Sequence, residues 1–279
     1  MGVVIGIDVG GSTTKIVGIA GDRIQNPIFV KAGDPLTSLF GAFGKYIYDN
    51  NIDLAEVEKV VLTGVGSAYI DQPLYGLPTA KIDEFLANGL GAQYRLGLDR
   101  LLVASMGTGT SFVRVEGERI EHIGGLGIGG GTILGLSKLM LKTSDFRQIV
   151  ALAEVGSLDG IDLRIRAITP HPLPGLPLDV TASIFGKADA NARAEDIALG
   201  ILHMVLQTVG QGAAFASMNS GIHDIVLIGN LTRLSQCEPV FSRLEDIYQV
   251  HFIVPKYAEF RTAIGTALGY IRKRPCKDL

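Results

Sequence analysis

The chain has 279 residues, 47% hydrophobic and 19% charged, a length that supports one large domain or two lobes and a composition that excludes disorder. With 25 Lys and Arg against 28 Asp and Glu, the net charge is -3, so no basic field collects nucleic acid or anionic lipid and any anion site must be local. The 36 glycines are nearly twice the usual ~7% share without a collagen period, which points to backbone geometry that glycine supplies.

Residues 3–31 read as a meander of three strands, VVIGID, TTKIVGIA and RIQNPIFV, punctuated by Gly-Gly and Gly-Asp. Residues 36–48 carry helical spacing after Gly-Asp-Pro, and KVVLTG at 59–64 is a short buried strand. Residues 83–96 form a helix opened by two acids, which suit the positive end of its dipole. From Leu101 the pattern restarts as strand, glycine turn, strand, turn, strand. Val9 to Thr14 matches Met106 to Ser111 at a constant offset of 97, so the sequence predicts two similarly built lobes. Helices follow at about 131–141 and 145–155, then a proline-rich loop, TPHPLPGLPLD, over 169–179, where a covering segment is expected. A long helix over 193–219, a strand at 224–229, a helix at 237–247, the strand VHFIV and a final helix over 258–273 complete the series.

Cys237 and Cys276 fit neither a disulfide framework nor a metal motif. No apolar run approaches a membrane span, and the first residues lack the basic region of a signal peptide. The chain therefore reads as cytoplasmic.

Glycine beside a strand lets backbone N–H groups approach phosphate oxygens. Four clusters offer this: DVGGSTTK from Asp8 to Lys15, GTGTS from Gly107 to Ser111, GGLGIGGGT from Gly124 to Thr132, and Gly229-Asn230. Taken singly, each is equally an ordinary hairpin turn. Gly125, Gly127 and Gly130 match GxGxxG, but Asp145 stands at a helix start instead of closing a second parallel strand, which removes the dinucleotide reading. Gly130 to Gly135 match GxxxxG, but Leu136-Ser137 replaces the Lys-Ser/Thr of a P-loop. What remains is a glycine run opening a helix whose N-terminus suits an anion.

The set IGIDVGGSTTK, MGTGTS, HIGGLGIGGGTILGLSKLM, VTASIFG and VLIGN extends over essentially the whole chain. It resembles the type II pantothenate kinases of the acetate and sugar kinase, Hsp70 and actin superfamily. The resemblance implies an α/β fold of two duplicated actin- or ribonuclease H-like lobes, 1–97 and 98–279, with an ATP cleft between them and the final helix crossing back to the first lobe. It implies transfer of the γ-phosphoryl group of ATP, with Mg2+, to the primary hydroxyl of pantothenate. It also implies a homodimer whose partners are small molecules, with no nucleic acid and no membrane.

Within that resemblance Asp8 would hold Mg2+, directly or through water, and Lys15 would reach the transferred phosphate. A turn-capping Asp and an exposed strand Lys are the plain alternatives. The expected ATP contacts are Gly10, Gly11, Ser12 and Thr13 in the first turn and Gly107, Thr108, Gly109 and Thr110 in the second. Gly129, Gly130, Gly131, Thr132, Gly229 and Asn230 complete that set. Glu84, in KIDEF, is the candidate base, or else a first-turn acid that stabilises its helix. Ser111, Thr181 and His122 are expected at the substrate, with Thr181 otherwise an N-cap for a following helix.

His122 stands where several family members have Arg, and imidazole lacks the permanent charge and bidentate fork of guanidinium. A kinase of the same fold acting on a sugar or pantetheine is therefore the alternative. A second is an ATPase activator with a cysteine-held iron–sulfur cluster, for which Cys237 and Cys276 lie in no matching motif. His203 and His223 lack the spacing of metal ligands.

Overall fold

The structure is a computed structural model and describes residues 2–31, 33–171, 174 and 177–279. Residues 172, 173, 175 and 176 of the expected covering loop lie outside the described residues.

Two sheets repeat one topology. In the first, β1 (Val3–Val9) pairs antiparallel with β2 (Thr13–Ala20), which also pairs with β3 (Arg23–Ile24) and β4 (Ile28–Lys31). Helix α1 (Pro35–Asn50) leads to β5 (Val57–Thr63), parallel to β1, and then to β6 (Thr79–Lys81), parallel to β5. Helix α2 (Glu84–Gln93) links to the second sheet, where β7 (Arg100–Met106), β8 (Thr110–Glu116) and β9 (Arg119–Leu126) form an antiparallel meander. Helices α3 (Gly130–Met140) and α4 (Phe146–Glu154), a small pair β10 (Leu163–Arg164) and β11 (Thr181–Ser183), and α5 (Ala194–Met218) follow. Then β12 (Asp224–Ile228) runs parallel to β7, α6 (Cys237–Tyr248) crosses over, and β13 (His251–Ile253) runs parallel to β12. The chain closes with α7 (Arg261–Ile271) and β14 (Lys277–Asp278), which pairs with β6. The offset of 97 in the sequence is the spacing of β1 to β7 and of β2 to β8, so the duplicated α/β fold is borne out.

Alternation along each strand sends side chains to opposite faces, and both faces are covered. Ile5, Ile7 and Val9 pack with Leu39, Phe43 and Tyr46 of α1. Val4, Val17 and Val61 pack instead with Ala87 and Leu90 of α2 and with Ile264 and Ala267 of α7. In the second sheet Leu101, Val103 and Val226 turn to Ala92 of α2, while Leu102, Ala104 and Leu227 turn to the α5 side. The layers therefore run α1, first sheet, α2 with α7, second sheet, then α3 to α6. An 18-residue window of α5, with mean hydropathy 1.3, is long and apolar enough to cross a bilayer, but 67% of it is buried within the protein.

The α2–α7 layer is held by backbone contact. A Cβ on Gly91 would sit 1.8 Å from the Arg261 carbonyl oxygen, and one on Gly265 would sit 1.8 Å from that of Ala87, so the helices touch where glycine leaves no side chain. Gly6 of β1 likewise meets Ala263, 2.2 Å from its carbonyl oxygen to the Cβ position. Arg261 Nη1 donates to the carbonyls of Gly91 and Tyr94 at 2.9 and 2.5 Å, adding a second donor to Gly91 O, which already accepts from Tyr94 N, and supplying one to Tyr94 O at the end of α2.

Several elements differ from expectation. The third strand is broken into β3 and β4 at Gln25 to Pro27, where proline has no N–H for the ladder. The last helix begins with a tight 3-10 turn, Ala258–Phe260, before α7 proper. The short strands β6, β10, β11 and β14 had no pattern long enough to announce them.

Candidate active site

The register of β1 and β2 sets Asp8 opposite Lys15. The Lys15 Nζ lies 3.6 Å from Asp8 Oδ2, and the residues are only 6% and 7% exposed. Burial pushes the Asp8 carboxyl above its ordinary range, while the charge and hydrogen bond of Lys15 oppose that rise. The pair is a buried anion held by one cation, in a place where a further cation would stabilise it.

The turns after β1 and β7 meet in space. Gly10 N donates to Thr13 O at 3.0 Å, and Gly107 N donates to Gly109 O at 2.8 Å, each closing its own turn. Across the gap the Cβ position of Gly11 lies 3.9 Å from Thr108 Oγ1, and Asn230 Nδ2 donates to Thr13 Oγ1 at 3.4 Å. Gly229 precedes Asn230 at φ 98° with its Cβ position 2.4 Å from Met106 O, so both conformation and space demand glycine. The resulting cleft of about 520 Å³ brings together Asp8, Gly10, Gly11, Ser12, Thr13, Lys15, Glu84, Gly107, Thr108, Gly109, Thr110, Ser111, Gly229 and Asn230.

Glu84 reaches the cleft because Asp83 takes over the capping. The Asp83 carboxylate accepts from Leu86 N at 2.9 Å as N-cap of α2, which leaves Glu84 at the first helical position facing the cavity. Burial, then the negative charges of Asp8 and Asp83, push the Glu84 carboxyl up to about 7 against the opposing Lys15. A carboxyl poised there can take a proton from a bound hydroxyl near neutral pH. Its neighbour Phe85 also lines the cleft and stacks on His122, with ring centroids 3.8 Å apart and planes at 9°.

Other expected residues sit elsewhere. His122 is an exposed residue of β9, behind Phe85 and not in the cleft wall. In the run Gly129, Gly130, Gly131 and Thr132, the three glycine N–H groups are already engaged. Gly130 N donates to Gly107 O at 2.8 Å, Gly131 N to Thr108 O at 2.9 Å, and Gly129 N to Thr132 Oγ1 at 3.1 Å. The run therefore props the second phosphate-type turn from behind instead of aiming amides into the cleft.

Thr181 lies in β11, with no helix to cap. Its hydroxyl donates to Asp162 Oδ2 at 3.0 Å, and it lines a separate cavity of about 500 Å³ shared with His203 and Arg243. His203 Nδ1 lies 3.1 Å from the same carboxylate. Among the described residues no three His, Cys, Asp or Glu side chains gather as a metal site, and Cys237 and Cys276 are free thiols.

The cleft also contains Ser105, Phe85 and Thr262. Thr262 carried no local signal, because it arrives on α7 from the far end of the chain, whereas Phe85 was adjacent to the recognised glutamate.

The Fumble family model matches residues 100–242, just over half of the chain. The type II pantothenate kinase of Bacillus cereus is 29% identical over 270 residues, 92% of this chain and 90% of its own length. That of Staphylococcus epidermidis is 33% identical over 188 residues, 65% of this chain and 66% of its own. The activator of the 2-hydroxyisocaproyl-CoA dehydratase from Clostridium difficile, with bound ADPNP, superposes at TM-score 0.69 and 17% identity over 97% of this chain and 95% of that one. A ROK family glucokinase from Streptomyces griseus, with glucose and AMPPNP, gives 0.60 and 14% over 95% and 98%. These structural likenesses are of fold alone. The family match spans β7, β8, β9 and β12 of the second sheet and most helices covering it, while relatives align along both lobes, and on that ground the chain belongs to the Fumble family.

Proposed function

We propose that the chain is an ATP-dependent kinase that phosphorylates the primary hydroxyl of pantothenate. The observation that carries this reading is a carboxyl poised at about 7, Glu84, in the same cleft as a buried Asp8–Lys15 pair and two glycine turns. Phosphoryl transfer asks for little covalent chemistry from the protein beyond alignment, charge neutralisation and a base.

The phosphates of ATP bind between the turns at Gly10 to Thr13 and Gly107 to Thr110, with Gly229 and Asn230 closing one side. Lys15 neutralises charge on the transferred group. Asp8 offers a buried, hard carboxylate, the ligand type that suits an ion keeping water and phosphate oxygens as its other ligands. The residues therefore fit Mg2+ at Asp8. When bound there, Mg2+ supplies charge stabilisation to the phosphate oxygens.

Glu84 accepts the proton of the acceptor hydroxyl as its oxygen forms a bond to the γ-phosphorus. The bond from that phosphorus to the bridging oxygen breaks in line, and ADP leaves with the electron pair. Ser111 lines the cleft at the acceptor end, and His122, outside the cleft wall, acts on the substrate only through the Phe85 ring on which it stacks. The two lobes, 1–97 and 98–279, hold nucleotide between them, and the working form is a homodimer, which light scattering tests.

Coupled ADP release over a panel of pantothenate, pantetheine, N-acetylhexosamines and simple sugars tests the assignment. Pantothenate should be the preferred acceptor. Brisk turnover of another acceptor with none of pantothenate would replace it.

A further inference from the structure

A donor without an acceptor and an acceptor without a donor lie one helical turn apart on α2. Asn88 is fully buried. Its Oδ1 accepts from the Thr262 hydroxyl at 2.7 Å, while its Nδ2 has no partner, an arrangement that is costly in a dry interior. Four residues earlier is Glu84, whose carboxyl receives no hydrogen bond among the described residues. Residues i and i+4 of a helix share a face, and helical side chains lean toward the N-terminus. Asn88 therefore stands on the face of α2 that carries Glu84.

A second element reaches the same place. Thr262, on the first turn of α7, lines the cleft together with Glu84. Its own backbone carbonyl is held by Thr266 Oγ1 at 2.7 Å. The backbone contact of α2 and α7 at Gly91 and Gly265 fixes the distance between Asn88 and Thr262. With the hydroxyl proton committed to Oδ1, the amide cannot rotate freely, and its two N–H donors are left for the other side.

We propose that Asn88 is a positioning residue for the base. Its Nδ2 is outside hydrogen-bond distance of Glu84 in this structure and donates to that carboxylate through one water, or directly once the Glu84 side chain turns toward it, aiming it at the acceptor hydroxyl while Thr262 holds the amide the right way round. This rests on the reading of Glu84 as the base. A charge-assisted hydrogen bond is both short and directional, which suits a side chain that must present one oxygen to a proton within hydrogen-bond reach.

The test measures ATP-dependent turnover of pantothenate by the full chain carrying Asn88→Leu, Asn88→Ala, Thr262→Val, Thr262→Ser, Glu84→Gln, or Glu84→Gln with Asn88→Leu. Asn88→Leu should lower kcat by ~10- to 100-fold with the KM for ATP within about twofold of wild type. Thr262→Val should act in the same direction, and Thr262→Ser, which keeps the hydroxyl, should recover turnover. In the Glu84→Gln background Asn88→Leu should add nothing further. An undiminished kcat in folded Asn88→Leu, or an equal loss in the Glu84→Gln background, would overturn the proposal. If both Asn88 variants fail to fold, the Thr262 pair decides: equal kcat for Val and Ser overturns it. Wild-type turnover by Glu84→Gln would remove the base assignment and this proposal together. Failure of the Asn88 role alone looks different, with Glu84→Gln inactive and Asn88→Leu active.

Discussion

Replacing Glu84 by glutamine should make the protein more stable and less active at once, and the gain in stability should appear only at higher pH. The carboxyl sits at about 7 in the folded chain against 4.5 for an unperturbed glutamate, so folding favours its protonated form. That favourable contribution is fully present below 4.5 and is lost as pH rises through about 7. At 1.36 kcal/mol per pKa unit the shift corresponds to at most about 3 kcal/mol. Glu84 is partly exposed, and solvent screening reduces this to about 1–2 kcal/mol. Gln, which never ionises, should therefore be more stable than wild type by ~1–2 kcal/mol at pH 8.5 and indistinguishable from it at about pH 4. Urea unfolding at the two pH values measures the difference. Turnover supplies the second half: wild-type kcat/KM should climb about tenfold per unit toward pH 7 and then level, whereas the variant should be flat and ~10²- to 10⁴-fold slower. A Gln variant no more stable at the higher pH would refute the electrostatic reasoning, and one with near-normal turnover would refute the role.

Three other substitutions probe separate parts of the account. Lys15→Met removes the cation that pairs with Asp8 and one charge on the transferred phosphate, so kcat should fall by ~10²- to 10³-fold while circular dichroism stays native. Gly265→Ala puts a methyl group 1.8 Å from the Ala87 carbonyl oxygen; the α2–α7 crossing must open, at a cost of about 3 kcal/mol, read as a melting temperature lower by roughly 6–12 °C. His122→Arg gives the acceptor carboxylate a permanent, forked cation, and the KM for pantothenate should drop about tenfold with the KM for ATP unmoved; an unchanged pantothenate KM would detach this position from the substrate.

The duplicated sheets were legible because strand, glycine turn and strand recur with one spacing, and β1 and β7 are buried on both faces as continuous apolar runs. Asp8 and Lys15 were legible for the same reason, since hairpin register follows from the turn between them. The third strand reads as one element in the sequence because a proline break inside an apolar run has little effect on periodicity. Glu84 was recognised, but its capping neighbour was what freed it, a division of labour between two adjacent acids that composition does not show. The glycine run before α3 carries an anion signal, yet Gly130 N and Gly131 N donate to the Gly107–Thr108 turn, a contact visible only in three dimensions. Thr262 and Asn88 were invisible for a related reason: their meeting depends on α7 crossing to the first sheet, and nothing local in either segment encodes the other.

The most direct measurement of the central claim is phosphorus NMR of the products when the purified chain, MgATP and pantothenate are mixed at pH 7.5. The account predicts ADP and a new phosphomonoester on the primary hydroxyl of pantothenate in equal amounts, both abolished by Glu84→Gln. ADP accompanied by inorganic phosphate at the same rate with or without pantothenate, and no phosphomonoester, would contradict it.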